Sequence, residues 1–155
     1  MKDRLAQPAR FRGSSWSSPH RIVRMLRGAP RATYELSRAR LALRTLGIAD
    51  IEQRNALSSD RGRDPDAARP DDAEIAARAG FVIERLASRM PFRSDCLVRA
   101  LAAQSWLTQR GIATRIVIGA QFSPSREFGP HAWLSYGETI VTGGDVAPYT
   151  VLYDG

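Results

Sequence analysis

The feature that most constrains this chain is a change of apolar period at Gly111, from about 3.6 residues upstream to 2 downstream. Upstream, Ile75, Ala79, Val82, Ile83 and Leu86 recur on one face and predict a helix from about 71 to 88. Asp71 and Asp72 stand at its start, where the helix dipole favours acids. Pro91 separates it from a helix over about 96–110, capped by Ser94 or Asp95 and stopped by Gly111, with Leu97, Ala100, Leu101 and Leu107 inward. Downstream, residues 113–120 (ATRIVIGA), 131–136 (HAWLSY) and 139–142 read as strands. Residues 121–130 read as a loop and Gly137-Glu138 as a turn. Helices first, then a small antiparallel sheet, is an α+β arrangement.

The first third of the chain has a different character. Residues 1–19 carry the flexible composition Gly13-Ser14-Ser15-Trp16-Ser17-Ser18-Pro19 and read as unstructured. An apolar patch at Ile22, Val23, Met25 and Leu26 is interrupted by Pro30. Tyr34, Leu36, Leu41, Leu43 and Leu46 then continue at partly helical spacing to a stop at Gly47. Residues 58–71 (SSDRGRDPDAARPD) read as an exposed loop. The organisation expected is a basic N-terminal arm with helices over 1–57, an exposed loop over 58–70 and the core over 71–155. No internal repeat is present. The net charge of +7 sits in the arm: residues 1–44 hold eleven basic groups against Asp3 and Glu35, whereas the rest of the chain holds twelve basic and fourteen acidic groups. Such asymmetry fits an acidic partner or a solvated tail. Sparse aromatics in the arm, and the lack of a basic folded part, argue against nucleic acid.

A length of 155 residues fits one domain. No apolar run reaches the roughly 18 residues of a membrane span. The basic start lacks the apolar segment and cleavage site of a secretory signal, so a cytoplasmic location is expected. One cysteine allows no internal disulfide, and with two histidines it leaves too few ligands for a structural zinc site. No cofactor is expected.

Cys96 stands at a helix start, where unpaired N–H groups and the dipole favour a thiolate and can hold an oxyanion. Asp95 next door works against this. The alternative is a buried, inert cysteine, the commonest fate of a lone one. His131 opens a strand after a long loop, and imidazole is the usual base for a thiol. The alternative is a solvated or core histidine. His20, in the arm, has no partner in sight. A hairpin turning at Gly137 sets His131 opposite position 143, so Asp145 lies just past it on the neighbouring strand, able to orient the ring. The alternative is a turn aspartate after Gly143-Gly144. Trp133 shares the sheet face of His131, where it serves core packing or shields the site.

Three stretches go further: Cys96-Leu97-Val98-Arg99-Ala100-Leu101-Ala102-Ala103, residues 110–120 (RGIATRIVIGA), and His131-Ala132-Trp133-Leu134-Ser135-Tyr136-Gly137. Over about 91–152 the chain resembles the transglutaminase-like, papain-like core of the lasso-peptide leader peptidases, the microcin-processing family. Ser135 departs from that pattern, standing where an acid is frequent. The resemblance implies a cysteine protease that removes the leader from a ribosomally made precursor, with Cys96 as nucleophile, His131 as base and Asp145 as orienting acid. It also implies a small leader-binding partner protein and a separate ATP-dependent cyclase acting next. The alternatives are a transglutaminase-like acyltransferase using the same residues, and a non-catalytic module whose basic arm does the binding.

Overall fold

The computed structural model describes residues 19–122 and 128–154. Four helices precede a four-stranded antiparallel sheet: α1 Pro19–Ala42, α2 Ile48–Arg61, α3 Asp72–Ala87, α4 Cys96–Thr108, then β1 Arg115–Phe122, β2 Phe128–Tyr136, β3 Thr139–Thr142 and β4 Thr150–Tyr153, with spatial order β3-β2-β1-β4. This is the α+β class that the change of period predicts. Among the described residues no helix is long and apolar enough to cross a membrane. Most of the expected 13–19 linker, and the side chain of His20, lie outside the described residues.

The centre of the molecule is α4. Val98, Ala100, Leu101, Ala102, Ala103, Trp106 and Leu107 are all buried. Burial on nearly every side is why its sequence shows little one-sided periodicity. Helices α1 and α3 pack on it, and so does the sheet face carrying Ile116 and Leu134. Helix α1 continues through Pro30, where the sequence suggests a break. Ala32, Leu36 and Ala39, fully or nearly fully buried against the other helices, hold it in place, so packing overrides local propensity.

The region 58–71 is more structured than its composition suggests. Helix α2 continues to Arg61, and a short 3-10 helix spans Pro65–Ala67. The buried side of α2 consists of Ile51, Asn55 and Ser58, two of them polar, so apolar periodicity gives no signal for it. These polar groups serve the first residues of β1. Asn55 Oδ1 accepts the Ile116 N–H at 2.9 Å and its Nδ2 donates to Ile116 O at 3.0 Å, taking the place of a neighbouring strand. Gln104 Nε2 donates to Asn55 Oδ1, and Ser58 Oγ accepts the Thr114 N–H at 3.0 Å. Asn55→Leu would leave the buried Ile116 backbone groups without partners and leave Gln104 only its bond to Thr114 O. It is expected to cost about 2–4 kcal/mol in a denaturant titration.

Asp72 stands at the start of α3, as the sequence predicts, but does more there than complement the helix dipole. Its carboxylate is buried, paired to Arg63 through Nε at 3.1 Å and Nη2 at 3.0 Å, and it also accepts the Arg69 N–H at 2.9 Å. The Arg63 hydrogen bonds, then the Arg69 N–H, hold its carboxyl below the ordinary carboxylate range against the opposing effect of burial. A carboxyl depressed in the folded state contributes stability above its unfolded pKa, about 3.9, and loses that contribution as pH falls toward the folded value. The melting temperature is therefore expected to drop below about pH 4, and Asp72→Asn to remove part of that dependence while lowering stability at neutral pH.

Candidate active site

Cys96 is the first residue of α4 and a free, half-buried thiol. Asp95 occupies the N-cap position, but no side chain caps the helix, contrary to the capping expected from Ser94 or Asp95. The Asp95 carboxylate points instead to Arg93 at 3.4 Å, and the Ser94 hydroxyl is buried without a partner among the described residues. The first-turn N–H groups beside the thiol are thus not consumed by a capping side chain.

His131 lies within β2, opposite Gly119 of β1, rather than at a strand start. Its ring stacks on Tyr149, with centroids 4.5 Å apart, and more distantly on Trp133 at 6.0 Å. Trp133 thus shares the face of His131, as the alternation of the strand predicts, and is itself buried. His131 Nε2 lies 2.8 Å from Gly143 O. A carbonyl can only accept, so Nε2 carries the proton and Nδ1 of the neutral ring keeps a lone pair free to act as a base.

The β2–β3 hairpin has a shifted register. Tyr136 pairs with Thr139 and Ser135 with Ile140, but Leu134 pairs with Thr142 across a bulge. The extra residue moves position 143 toward Trp133 instead of squarely opposite His131. The strand then ends, and Gly143 and Gly144 turn with φ of 112° and 71°. Asp145 follows them, exposed and off the strand, and its Oδ1 accepts the Ala147 N–H at 3.1 Å. The group the structure sets against Nε2 is the Gly143 carbonyl, with Asp145 engaged in its own turn.

Two residues outside the sequence-derived set connect the pieces. The Gly143 N–H donates to Glu84 Oε1 of α3 at 3.1 Å. Glu84 Oε2 accepts from Arg99 Nη1 of α4 at 2.9 Å, and Arg99 Nε donates to Ser94 O at 2.7 Å, two residues before Cys96. One chain of hydrogen bonds therefore runs from the imidazole to the segment that carries the thiol. A close approach makes it possible: a Cβ on Gly80 would stand 2.0 Å from Val141 O, so only glycine lets α3 touch β3 there, one helical turn before Glu84. Arg99 sits inside the Cys-Leu-x-Arg-Ala-Leu stretch and was legible as part of a motif. Glu84 had no sequence signal beyond an acid on a helix. Among the described residues, no three His, Cys, Asp or Glu side chains gather as a metal site.

A family comparison agrees with this architecture. The model of the transglutaminase-like superfamily matches residues 33–154, and the chain belongs to that superfamily. The comparison with curated proteins and that with solved structures each found no match. The superfamily generally comprises cysteine peptidases and transglutaminases, so the domain is consistent with cysteine protease or acyltransferase activity.

Proposed function

We propose that this protein is a cysteine peptidase that removes the leader from a ribosomally made lasso-peptide precursor. The observation that carries the reading is the hydrogen-bonded chain between the His131 ring and the uncapped start of α4, in a chain of the transglutaminase-like superfamily. The specific substrate class rests on the resemblance of the Cys96, Arg110 and His131 stretches to leader peptidases.

In this mechanism His131 Nδ1 takes the proton of the Cys96 thiol, and the sulfur attacks the carbonyl carbon of the last leader residue. The tetrahedral oxyanion is held by the Cys96 N–H at the positive end of α4. The imidazolium returns its proton to the leaving amine, the C–N bond breaks, and a thioester remains on Cys96. Water, deprotonated by the same ring, hydrolyses the thioester and restores the thiol. A leader-binding partner protein presents the scissile bond, and an ATP-dependent cyclase consumes the released core peptide. The described cations of α1, among them Arg27 and Arg38, are a surface for that partner or for an acidic leader segment.

The deciding measurement is the mass of the products from a leader-bearing precursor incubated with the protein and its partner. Free leader acid plus a core with a new amino terminus is expected. With hydroxylamine or a primary amine present, leader carrying the amine in place of water as the major product would assign acyl transfer instead. An intact precursor in every mixture would reject both.

A further inference from the structure

The carboxylate that the hydrogen bonding joins to His131 is that of Glu84, and the joint is the backbone of Gly143. Gly143 is held on both sides of its Cα: its N–H donates to Glu84 Oε1, and its carbonyl, in the next peptide group, accepts from His131 Nε2. The two groups lie in successive peptides, so Glu84 acts on that carbonyl by fixing the orientation of the Gly143 backbone, so that its oxygen faces the ring. That matters most when the ring takes a second proton, because the Nε2–H to carbonyl bond then becomes charge-assisted. Asp145 and Asp95, the acids beside Gly143-Gly144 and Cys96 in the chain, are committed elsewhere, to the Ala147 N–H and to Arg93. Arg99 fixes the second oxygen of Glu84 and, through Ser94 O, the segment before Cys96. The Glu84–Arg99 pair is half-buried, so it is neither freely solvated nor sealed in the core.

We infer that Glu84 and Arg99 are positioning residues for the thiol–imidazole pair, with Glu84 acting on His131 by holding the Gly143 backbone whose carbonyl meets the ring. This rests on the reading of Cys96 and His131 as the reacting pair. Glu84 holds the ring in the Nε2–H tautomer and steadies the imidazolium. Arg99 ties that assembly to the start of α4, so one ion pair sets the distance between thiol and base.

The test needs no substrate. Iodoacetamide reports the reactivity of Cys96, the single thiol of the chain, and nitrogen-15 imidazole spectra report the tautomer of His131. Glu84→Gln is expected to slow alkylation at neutral pH about tenfold, the worth of roughly one charge-assisted hydrogen bond. It is also expected to turn the single Nε2–H tautomer of the wild type into a mixture. Arg99→Lys, which keeps the charge but loses the two-point grip, is expected to slow alkylation about threefold. Asp145→Asn is expected to leave both readouts unchanged. If Glu84→Gln does not fold, Arg99→Lys carries the test with the same two readouts. Unaltered rate and tautomer in the folded Glu84 or Arg99 variant would overturn the inference, as would an Asp145→Asn effect equal to that of Glu84→Gln. His131→Ala separates the two levels. If it fails to slow alkylation, the reacting-pair reading falls and this one with it. If it slows alkylation and Glu84→Gln does not, only the positioning role is lost.

Discussion

Cys96→Ala is expected to abolish leader removal, lowering turnover by about four to six orders of magnitude, with no change in fold. The size follows from the chemistry. Without sulfur no thioester forms, and direct attack by water lacks both the strong nucleophile and the division of one hard step into two easier ones. The fold survives because Cys96 is a half-buried first residue of a helix, where alanine is well tolerated. His131→Ala removes the proton carrier of both half-reactions and is expected to cost about four orders of magnitude. Combining the two substitutions should add almost nothing, since residues that act as a unit are not additive. The measurement is conversion of a leader-bearing precursor by mass spectrometry, with thermal melting as the control for folding. A folded Cys96→Ala variant that still cleaves at the wild-type rate would end the thioester mechanism.

How much of this was legible beforehand depends on the range of the interaction concerned. Local patterns carried the class: the period change at Gly111, the Gly137-Glu138 turn and the limits of α3 and α4 are all set by nearby residues. Pattern also set Cys96 at a helix start and put His131 and Trp133 on one face of β2. What pattern could not supply was determined at a distance. Helix α2 is held by a polar seam to β1, and α1 crosses Pro30 because its far side is buried. Strand β4 is short and exposed, and it exists only because β1 offers a free edge. The bulge at Leu134 shifts the partner of β2 and changes what faces the imidazole, and a single-sequence register cannot foresee one inserted residue. Glu84 was invisible for the same reason: its role exists only once Gly80 brings α3 onto β3.

The second large effect is expected at Gly143, where geometry and chemistry meet. With φ of 112°, this residue occupies a backbone region that side chains rarely enter. A Cβ there would lie 2.4 Å from Trp133 Cβ, 3.1 Å from Trp133 Cα and 3.4 Å from His131 Nε2. Trp133 is buried, so it cannot yield, and the chain at 143 must rotate instead. Rotation breaks both backbone bonds of the residue, the one to Glu84 and the one to the imidazole. Gly143→Ala is therefore expected to lower stability by about 3 kcal/mol, from backbone strain and the clash together. Turnover of the folded fraction should fall about a hundredfold, the usual consequence of a catalytic group misplaced by an ångström. Gly144→Ala is the matched control: φ there is 71°, but nothing lies within 4 Å of the added carbon. It should cost about 1–2 kcal/mol of backbone strain and leave most of the turnover. Asp145→Ala, which removes only the turn contact to the Ala147 N–H, should leave turnover close to that of the wild type. If the two alanine variants at 143 and 144 lose activity equally, the carbonyl of Gly143 is not what holds the histidine, and the acceptor must be sought elsewhere on the β3–β4 connection.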